Sequence, residues 1–366
     1  MASSLSLFSG CIKKEAPNAE ADILKIILPE GAMTDDAVDY GAPFSQKYGA
    51  YPLIVSVGHS TDLTDLAPRF ELTPGASVVP ESGSRHDFTQ PVFYTVTSED
   101  GNWQRRYAVI ITHGTLPVFP ETFTFETVRM ENGYHEFYDG DITWGSGNRG
   151  FAITSTSDNP EVYPTYRSAG GIGGSYCAVL ETRTTGSLGA MAGKPIAAGN
   201  LFLGTFDLSM ALSDALGATK FGIAYTHKPL AVKGYYKYVS GPEYYLNGVY
   251  RNDIRDKASI TAIFYESTVQ TPTLDGHLYE TGWKHPNMIA NARIGELDEA
   301  EEWTEFNMPL DYGQFGKDID AGKMSGGKYF ISLIFSSSTS GGEFKGAPGS
   351  RLMIDNVTIV YEQPEE

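Results

Sequence analysis

Cysteine is scarce in this chain of 366 residues, which contains only Cys11 and Cys177. Neither a CxxC pair nor a Cys/His spacing typical of zinc sites is present, and two such distant cysteines do not make a disulfide framework. Cys177 lies in the apolar run SYCAVLE and is predicted to be a small buried hydrophobic residue. Without a disulfide framework or a zinc site, the fold depends on its apolar cores.

Basic residues are also few, with 27 Lys and Arg against 45 Asp and Glu, which gives a net charge of −18. A surface this acidic repels phosphate backbones, so nucleic acid is excluded as a partner class. Solubility and cation binding are both compatible with the charge. No apolar run approaches the roughly 20 residues that a membrane-spanning helix needs.

A sustained helical period is missing, whereas short apolar runs bounded by glycine and proline are frequent. The chain has 40 glycines, 20 prolines and 12% aromatic residues, and 41% of its residues are hydrophobic. Many short strands and tight turns follow from this composition. The length fits two domains, and we predict an all-β protein in which an immunoglobulin-like β-sandwich precedes a larger jelly-roll β-sandwich.

The first predicted domain covers residues 22–114, after a flexible tether. Short strand-like runs with regular turn signals indicate an immunoglobulin-like sandwich of about 90 residues. The run from LTPGASVVPESG to DFTQPVFYTVTSEDG resembles the small modules that precede catalytic or binding domains in surface proteins. This resemblance implies a spacer that holds the second domain away from the membrane.

The second predicted domain covers residues 115–366 and begins with a proline-bounded connection. Its opening FTFE and closing LMIDNVTIVY resemble the terminal strands of carbohydrate-binding jelly rolls. In those domains the two strands are neighbours and a structural Ca²⁺ often lies beside them, which implies Glu126 and Asp355 as metal ligands. The alternative is that both carboxylates cap strands or accept hydrogen bonds from turn amides.

The central stretch carries a more specific resemblance. AAGNLF, FGIAYTHKP and VKGYYKY, in this order between residues 197 and 238, resemble the putative carbohydrate metabolism domain family. Members of that family are surface lipoproteins of Gram-negative gut bacteria. The resemblance implies a role in carbohydrate metabolism and a polysaccharide or oligosaccharide as the partner.

Leu7–Cys11 reads LFSGC and resembles a lipobox, so Cys11 is predicted as the lipid anchor. Residues 1–21 then form a leader remnant and tether, and the protein is placed at the outer membrane or cell surface, attached to the membrane only through its lipid. The segment departs from the pattern because only ten residues precede Cys11, none is basic, and Phe8 stands where leucine is usual. The alternative is a ragged N-terminus with an accidental cysteine.

Sugars bind proteins by stacking on aromatic rings while polar side chains contact their hydroxyls. Strand alternation puts Tyr236 and Tyr238 on one face and Tyr235 on the other, so at least one set is free to be buried. ITWGSGNRGF presents a tryptophan among small, loop-prone residues. The predicted carbohydrate-binding residues are Trp144, Asn148, Arg149, Tyr236, Tyr238 and Trp283, and the competing explanation for each is packing or turn formation.

Catalytic signals are weak. The chain has neither an ExDxE strand motif nor a GxSxG elbow, and no catalytic pair is assigned. The leading hypothesis is a non-catalytic surface lipoprotein that binds or presents glycans. The alternatives are a glycoside hydrolase and a structural or adhesive surface protein.

Overall fold

The computed structural model describes residues 16–28, 38–59, 61–155 and 157–362. Strands dominate it, and the predicted all-β class is confirmed. The chain divides into two compact units, Met1–Gly114 and Thr115–Glu366.

The described residues of the N-terminal unit form six strands in two sheets. The strands are β1 (Ile23–Ile27), β2 (Tyr51–Val57), β3 (Arg69–Leu72), β4 (Ser77–Val79), β5 (Val92–Thr97) and β6 (Gln104–His113). One sheet pairs β1 with β3 antiparallel, and the other has the order β2-β6-β5-β4, in which β2 and β6 run parallel. Alternating residues of β2 pack into the core between the sheets, because successive strand side chains point to opposite faces.

The C-terminal unit contains nineteen further strands and three short α-helices in its described residues. The helices are α1 (Asn148–Phe151), α2 (Gly186–Met191) and α3 (Ala321–Ser325). The strands are β7 (Val128–Glu131), β8 (Tyr134–Asp139), β9 (Ile142–Gly145), β10 (Thr165–Ala169), β11 (Tyr176–Glu181), β12 (Arg183–Thr184), β13 (Ile196–Ala197), β14 (Asn200–Phe206), β15 (Thr219–Phe221), β16 (Ile223–Ala224), β17 (Pro229–Val239), β18 (Tyr244–Leu246), β19 (Val249–Arg251), β20 (Ser259–Glu266), β21 (Leu274–Asp275), β22 (Met288–Ile294), β23 (Ala300–Pro309), β24 (Tyr329–Ser336) and β25 (Arg351–Tyr361).

Two antiparallel sheets form the body of this unit. The smaller has the order β10-β11-β25-β17-β23, and the larger has β22-β20-β24-β14-β9-β8-β7 with β15, β16 and β21 attached beside it. Leu180 and Leu352 of the smaller sheet share one apolar core with Leu203, Phe264 and Leu333 of the larger. The unit is thus a double-sheet β-sandwich, as the sequence predicts.

A second apolar layer covers part of the outer face of the larger sheet. Phe202, Ile263 and Tyr265 point outward into it and meet Phe221 of β15 and Leu274 of β21. The Tyr265 hydroxyl donates to the Phe221 carbonyl oxygen at 2.6 Å, which fixes β15 over the sheet. We call this cluster the covering layer. Trp283 packs against its margin.

Candidate functional site

An open trough lies at the margin of the covering layer and has a volume of about 590 Å³. It is formed by three stretches that are far apart in sequence: the end of the 207–217 loop, the turn after β21 together with the following strand β22, and the loop after β24. Its lining residues define the Trp283 trough and are Leu216, Tyr279, Glu280, Gly282, Trp283, Arg293, Gly342 and Glu343.

The backbone that presents Trp283 has an uncommon conformation. A single 3₁₀ turn, Gly276–Tyr279, is capped by the Asp275 carboxylate, and the Trp283 amide then donates to the Leu278 carbonyl oxygen at 2.7 Å. Trp283 has φ of 63°, a left-handed value that costs an ordinary L-residue on the order of 1 kcal/mol. Such strain persists where surrounding contacts hold it, and here the Asn291 side-chain amide donates to the Trp283 carbonyl oxygen at 3.2 Å.

The Trp283 indole is only partly buried. Its ring centroid lies 6.2 Å from that of Phe221 in the covering layer, and the Arg293 guanidinium carbon lies 5.6 Å from the indole centroid. An indole with a guanidinium near it offers an apolar stacking surface beside a fixed hydrogen-bond donor.

The opposite rim of the trough is polar. The Tyr279 hydroxyl donates to a Glu343 carboxylate oxygen at 2.7 Å, and the Lys345 ammonium pairs with the other oxygen. The hydrogen bonds from Lys345 and Tyr279 lower the pKa of Glu343, so this carboxylate is an ionised acceptor at neutral pH. Glu280 is the second carboxylate that lines the trough.

His277 connects the wall of the trough to the neighbouring loop. Its Nε2 lies 3.1 Å from Asp214 and its Nδ1 lies 3.0 Å from Glu280. Hydrogen bonds to Asp214 and then to Glu280 raise the pKa of His277 to about 9. At neutral pH the imidazolium therefore links two carboxylates that belong to different segments.

A second polar depression, of about 480 Å³, lies on the outer face of the smaller sheet. Tyr235 faces it together with Lys233, Glu305 and Asn356. This aromatic and polar surface is on the side of the sheet opposite to the sandwich core.

The burial of Trp144 and Asn148 corrects two of the predicted sugar contacts. Trp144 is 2% exposed, packs against Phe123 and Phe125, and donates from its indole nitrogen to Asp139 at 3.2 Å. Asn148 is fully buried, and its amide exchanges two hydrogen bonds with the backbone of Thr165. Trp144 lies in β9 and Asn148 begins α1, and both side chains are buried in the interior.

Tyr236 and Tyr238 are likewise buried in the main core, at 7% and 0% exposure. Both lie opposite apolar residues of β25, since Tyr236 pairs with Ile354 and Tyr238 pairs with Leu352. The alternation along β17 is as predicted, but the choice of face is corrected: Tyr235 is the tyrosine that points outward. Arg149 is exposed and does not line the Trp283 trough.

Of the predicted sugar contacts, Trp283 is the one that lines the trough. Tyr279, Arg293 and Glu343 join it there although the sequence analysis did not single them out. No short motif unites them, because they lie in three separate segments. The available signal was the run YETGW, which places a tyrosine and a tryptophan around a glycine turn.

Glu126 and Asp355 both hold the segment from Ile172 to Tyr176. The carboxylate of Asp355 accepts from the Ile172 and Asn356 amides, each at 2.7 Å, and Glu126 accepts from the Tyr176 amide at 3.1 Å. Burial, and to a smaller extent the Glu126 charge, raise the pKa of Asp355. Within the described residues no group of three or more His, Cys, Asp and Glu is placed to hold a metal. Calcium at this pair therefore stays a prediction.

Cys11 lies outside the described residues, so the lipid anchor also stays a prediction. In the part of the chain that the structure describes, no helix is both long and apolar enough to span a bilayer.

Two family models match the chain. The model described as "Putative carbohydrate metabolism domain" matches residues 124–360, and the model described as "SGBP, N-terminal", for surface glycan-binding proteins, matches residues 52–111. These matches confirm the resemblance to the putative carbohydrate metabolism domain family and that of the N-terminal run to the small modules of surface proteins.

Solved structures give the same relationship. The chain is 40% identical to a protein from Bacteroides thetaiotaomicron VPI-5482 described as a putative glycoside hydrolase, with 96% of this chain and all of that one covered and a TM-score of 0.66. It is 44% identical to a second protein so described, from Bacteroides vulgatus ATCC 8482, over 66% of this chain and 98% of that one, with a TM-score of 0.64. None of the curated proteins matches it.

Proposed function

This chain belongs to the putative carbohydrate metabolism domain family, and we propose that it is a cell-surface protein that binds a glycan in the Trp283 trough without cleaving it. The observation that carries the proposal is the partly exposed indole of Trp283, held by a strained backbone in an open trough with charged groups on its rim.

The groups around the trough match the needs of a saccharide. The indole provides a flat surface for the apolar CH face of a pyranose, Arg293 provides donors, and Glu343 provides an ionised acceptor. Tyr279 holds Glu343 in place through its hydroxyl. Rigid placement of such groups lowers the entropy lost on binding, because few rotamers must be fixed.

Binding without hydrolysis is favoured because the carboxyl groups whose pKa is raised by burial lie outside the trough. A glycosidase needs one carboxyl group that stays protonated as the general acid, beside a second one that is ionised. The pKa of Glu343 is lowered, which is the wrong direction for that acid. Burial raises the pKa of Asp139, Asp256 and Asp355, but none of these three lines the trough.

Hydrolysis is the second candidate function because two carboxylates, Glu280 and Glu343, line the same trough. Both solved relatives are described as putative glycoside hydrolases. The two functions differ in whether reducing ends accumulate when the protein is incubated with a polysaccharide that it binds.

Placement at the surface is supported by the match of residues 52–111 to the N-terminal module of surface glycan-binding proteins. We further propose that Cys11 is acylated and that Glu126 and Asp355 contribute to a structural calcium site. Loss of radiolabelled palmitate from a Cys11→Ala variant, expressed in a Bacteroides host, tests the anchor. A wild-type protein that takes up no radiolabelled palmitate would contradict the predicted anchor.

The test of glycan binding is a glycan array probed with residues 22–366, followed by calorimetry on each polysaccharide that binds. Trp283→Ala should weaken binding at least tenfold because it removes the stacking surface. The matched control is Trp103→Ala, which removes a tryptophan that is 63% exposed on the N-terminal unit and should leave the affinity unchanged. An array without hits across plant, host and bacterial glycans would overturn the proposal.

A further inference from the structure

A second cavity adjoins the Trp283 trough, and the function proposed above does not use it. It has a volume of about 180 Å³ and lies between α1, α2, the 207–217 loop and the loop after β24. Leu216 and Gly342 line both this cavity and the trough, so the two spaces meet at these residues. We call the cavity the small-residue cleft, because ten of its described lining residues are glycine or alanine.

The walls of the cleft are mainly apolar. Phe151, Phe206 and Phe344 line it together with Ile196 and Leu216. Small residues keep the space open: a Cβ on Gly150 would lie 3.1 Å from the Phe206 ring, and a Cβ on Gly342 would lie 3.0 Å from Leu216. Larger side chains at these positions would fill the space, so the open volume depends on glycine being there.

The mouth of the cleft also exposes apolar side chains. Leu212 lines it and is 60% exposed, and Ala192, just after α2, lines it and is exposed as well. Exposed apolar side chains beside a cavity are typical of a binding surface. The Lys194 ammonium lies 4.8 Å from the Phe344 ring centroid, which adds a cation at the apolar wall.

Size and polarity limit what such a cleft accepts. An apolar cavity of roughly 150 Å³ takes up a molecule the size of benzene. A bare pyranose carries hydroxyl groups on most of its carbons, and these would lose their hydrogen bonds to water against Phe and Ala side chains. The occupant of the cleft is therefore an apolar group. Because Leu216 and Gly342 line both spaces, this group lies next to the ligand bound in the Trp283 trough.

We infer that the small-residue cleft binds an ester-linked aromatic acyl substituent of the glycan whose sugar units occupy the Trp283 trough. The inference rests on the proposed function, since the substituent reaches the cleft as part of a bound glycan. It defines the ligand class as an esterified polysaccharide.

The test compares each polysaccharide that binds with its alkali-saponified form, by calorimetry on the full chain. The native ester form should bind at least tenfold more tightly, because saponification removes the group that fills the cleft. Ala192→Trp should block the mouth and abolish this preference, while it leaves affinity for the saponified form unchanged. Met191→Trp is the matched control, since it adds the same ring to the neighbouring exposed position, which does not line the cleft.

Methyl benzoate serves as a probe that does not depend on the array. It should perturb the NMR signals of cleft residues in the wild type and in Met191→Trp but not in Ala192→Trp. Equal affinity for native and saponified glycans, or no effect of methyl benzoate, would overturn the inference and leave glycan binding intact. A blank array would overturn the proposed function, and the inference with it.

Discussion

The buried carboxylate of Asp256 accepts a hydrogen bond from the backbone amide of Ala347 at 2.7 Å. The same oxygen accepts from the hydroxyls of Ser338 and Ser350, and the other oxygen accepts from the Lys257 amide. Asp256 is 1% exposed and thus fastens both ends of the loop after β24 from the inside. That loop carries Glu343 and Phe344, so an interior carboxylate supports the rim of the trough and the wall of the cleft.

Asp256→Asn should lower the free energy of unfolding of the C-terminal unit by about 1–3 kcal/mol, because it weakens several hydrogen bonds and sets an N–H group against the Lys257 amide. Urea denaturation measures the change. Glycan affinity should also fall, since the loop is less firmly held. Asp253→Asn is the control, as its exposed carboxylate pairs with nearby Arg251 on the surface. Equal stabilities of the two variants would contradict the anchoring role.

His277 should give the stability of the trough wall a pH dependence. Its pKa in the folded protein is about 9, above the ordinary value of 6.5, so the proton is bound more tightly in the folded state. The stabilisation is complete below about pH 6.5 and is lost as the pH rises from there through about 9. The difference in melting temperature between wild type and His277→Gln should shrink over this range. An NMR titration of His277 with a midpoint near 6.5 would contradict the prediction.

Glu343→Gln should separate the two candidate functions. If the trough only binds, the neutral amide weakens affinity about tenfold through the loss of a charge-assisted hydrogen bond, and reducing ends appear with neither protein. Glu296→Gln is the control, since Glu296 is exposed and does not line the trough. Release of reducing ends by the wild type, abolished by Glu343→Gln or Glu280→Gln, would establish hydrolysis instead.

Gly222→Ala should disturb the covering layer that supports Trp283. Gly222 has φ of 105°, and a Cβ there would lie 2.6 Å from the Tyr265 hydroxyl oxygen. The free energy of unfolding should fall by about 2–4 kcal/mol through strain plus displacement of Tyr265. Gly248→Ala is the control for backbone strain alone, because Gly248 also has a positive φ but faces open space. This variant should lower the free energy of unfolding by about 1 kcal/mol. Similar losses in both variants would show that the Tyr265 contact is unimportant.

Calcium should raise the melting temperature of the C-terminal unit if Glu126 and Asp355 ligate it. Removal of the ion with EDTA should reverse the increase, and Glu126→Gln should abolish it, because hard carboxylate oxygens provide most of the affinity for this ion. Mg²⁺ at the same concentration serves as the control, since it demands a tighter octahedral set. A melting temperature that changes with neither Ca²⁺ nor EDTA would contradict the calcium site. The two carboxylates would then act as hydrogen-bond acceptors.

The family and the all-β class were readable from the sequence, because both depend on local information. Strand signals come from short runs such as ASITAIFYE and KYFISLIFS, which became β20 and β24. The motifs between residues 197 and 238 identify the family whatever their neighbours in space. The alternation along β17 was also correct, because side chains of a strand point to opposite faces.

The identity of the exposed face was decided by tertiary packing. Tyr235, Tyr236 and Tyr238 have the same chemistry, and only the pairing of β17 with β25 determines that the second and third face the core. Trp144 was predicted to be a sugar contact because small, loop-prone residues surround it in the sequence. In the structure it is enclosed in the sandwich with Phe123 and Phe125. Burial of an aromatic residue depends on what the other sheet places against it, which a local pattern does not contain.

The sequence by itself determined that this chain forms β-sandwiches and which family it belongs to. Both properties follow from the period and the order of residues in short segments. The trough was decided only when three distant stretches met: Leu216 lies near the end of the 207–217 loop, Trp283 and Arg293 lie in the turn after β21 and in β22, and Glu343 lies in the loop fastened by Asp256. Groups that converge from distant segments leave no short motif in the sequence, because their separations along the chain are long. Only the fold brings them together.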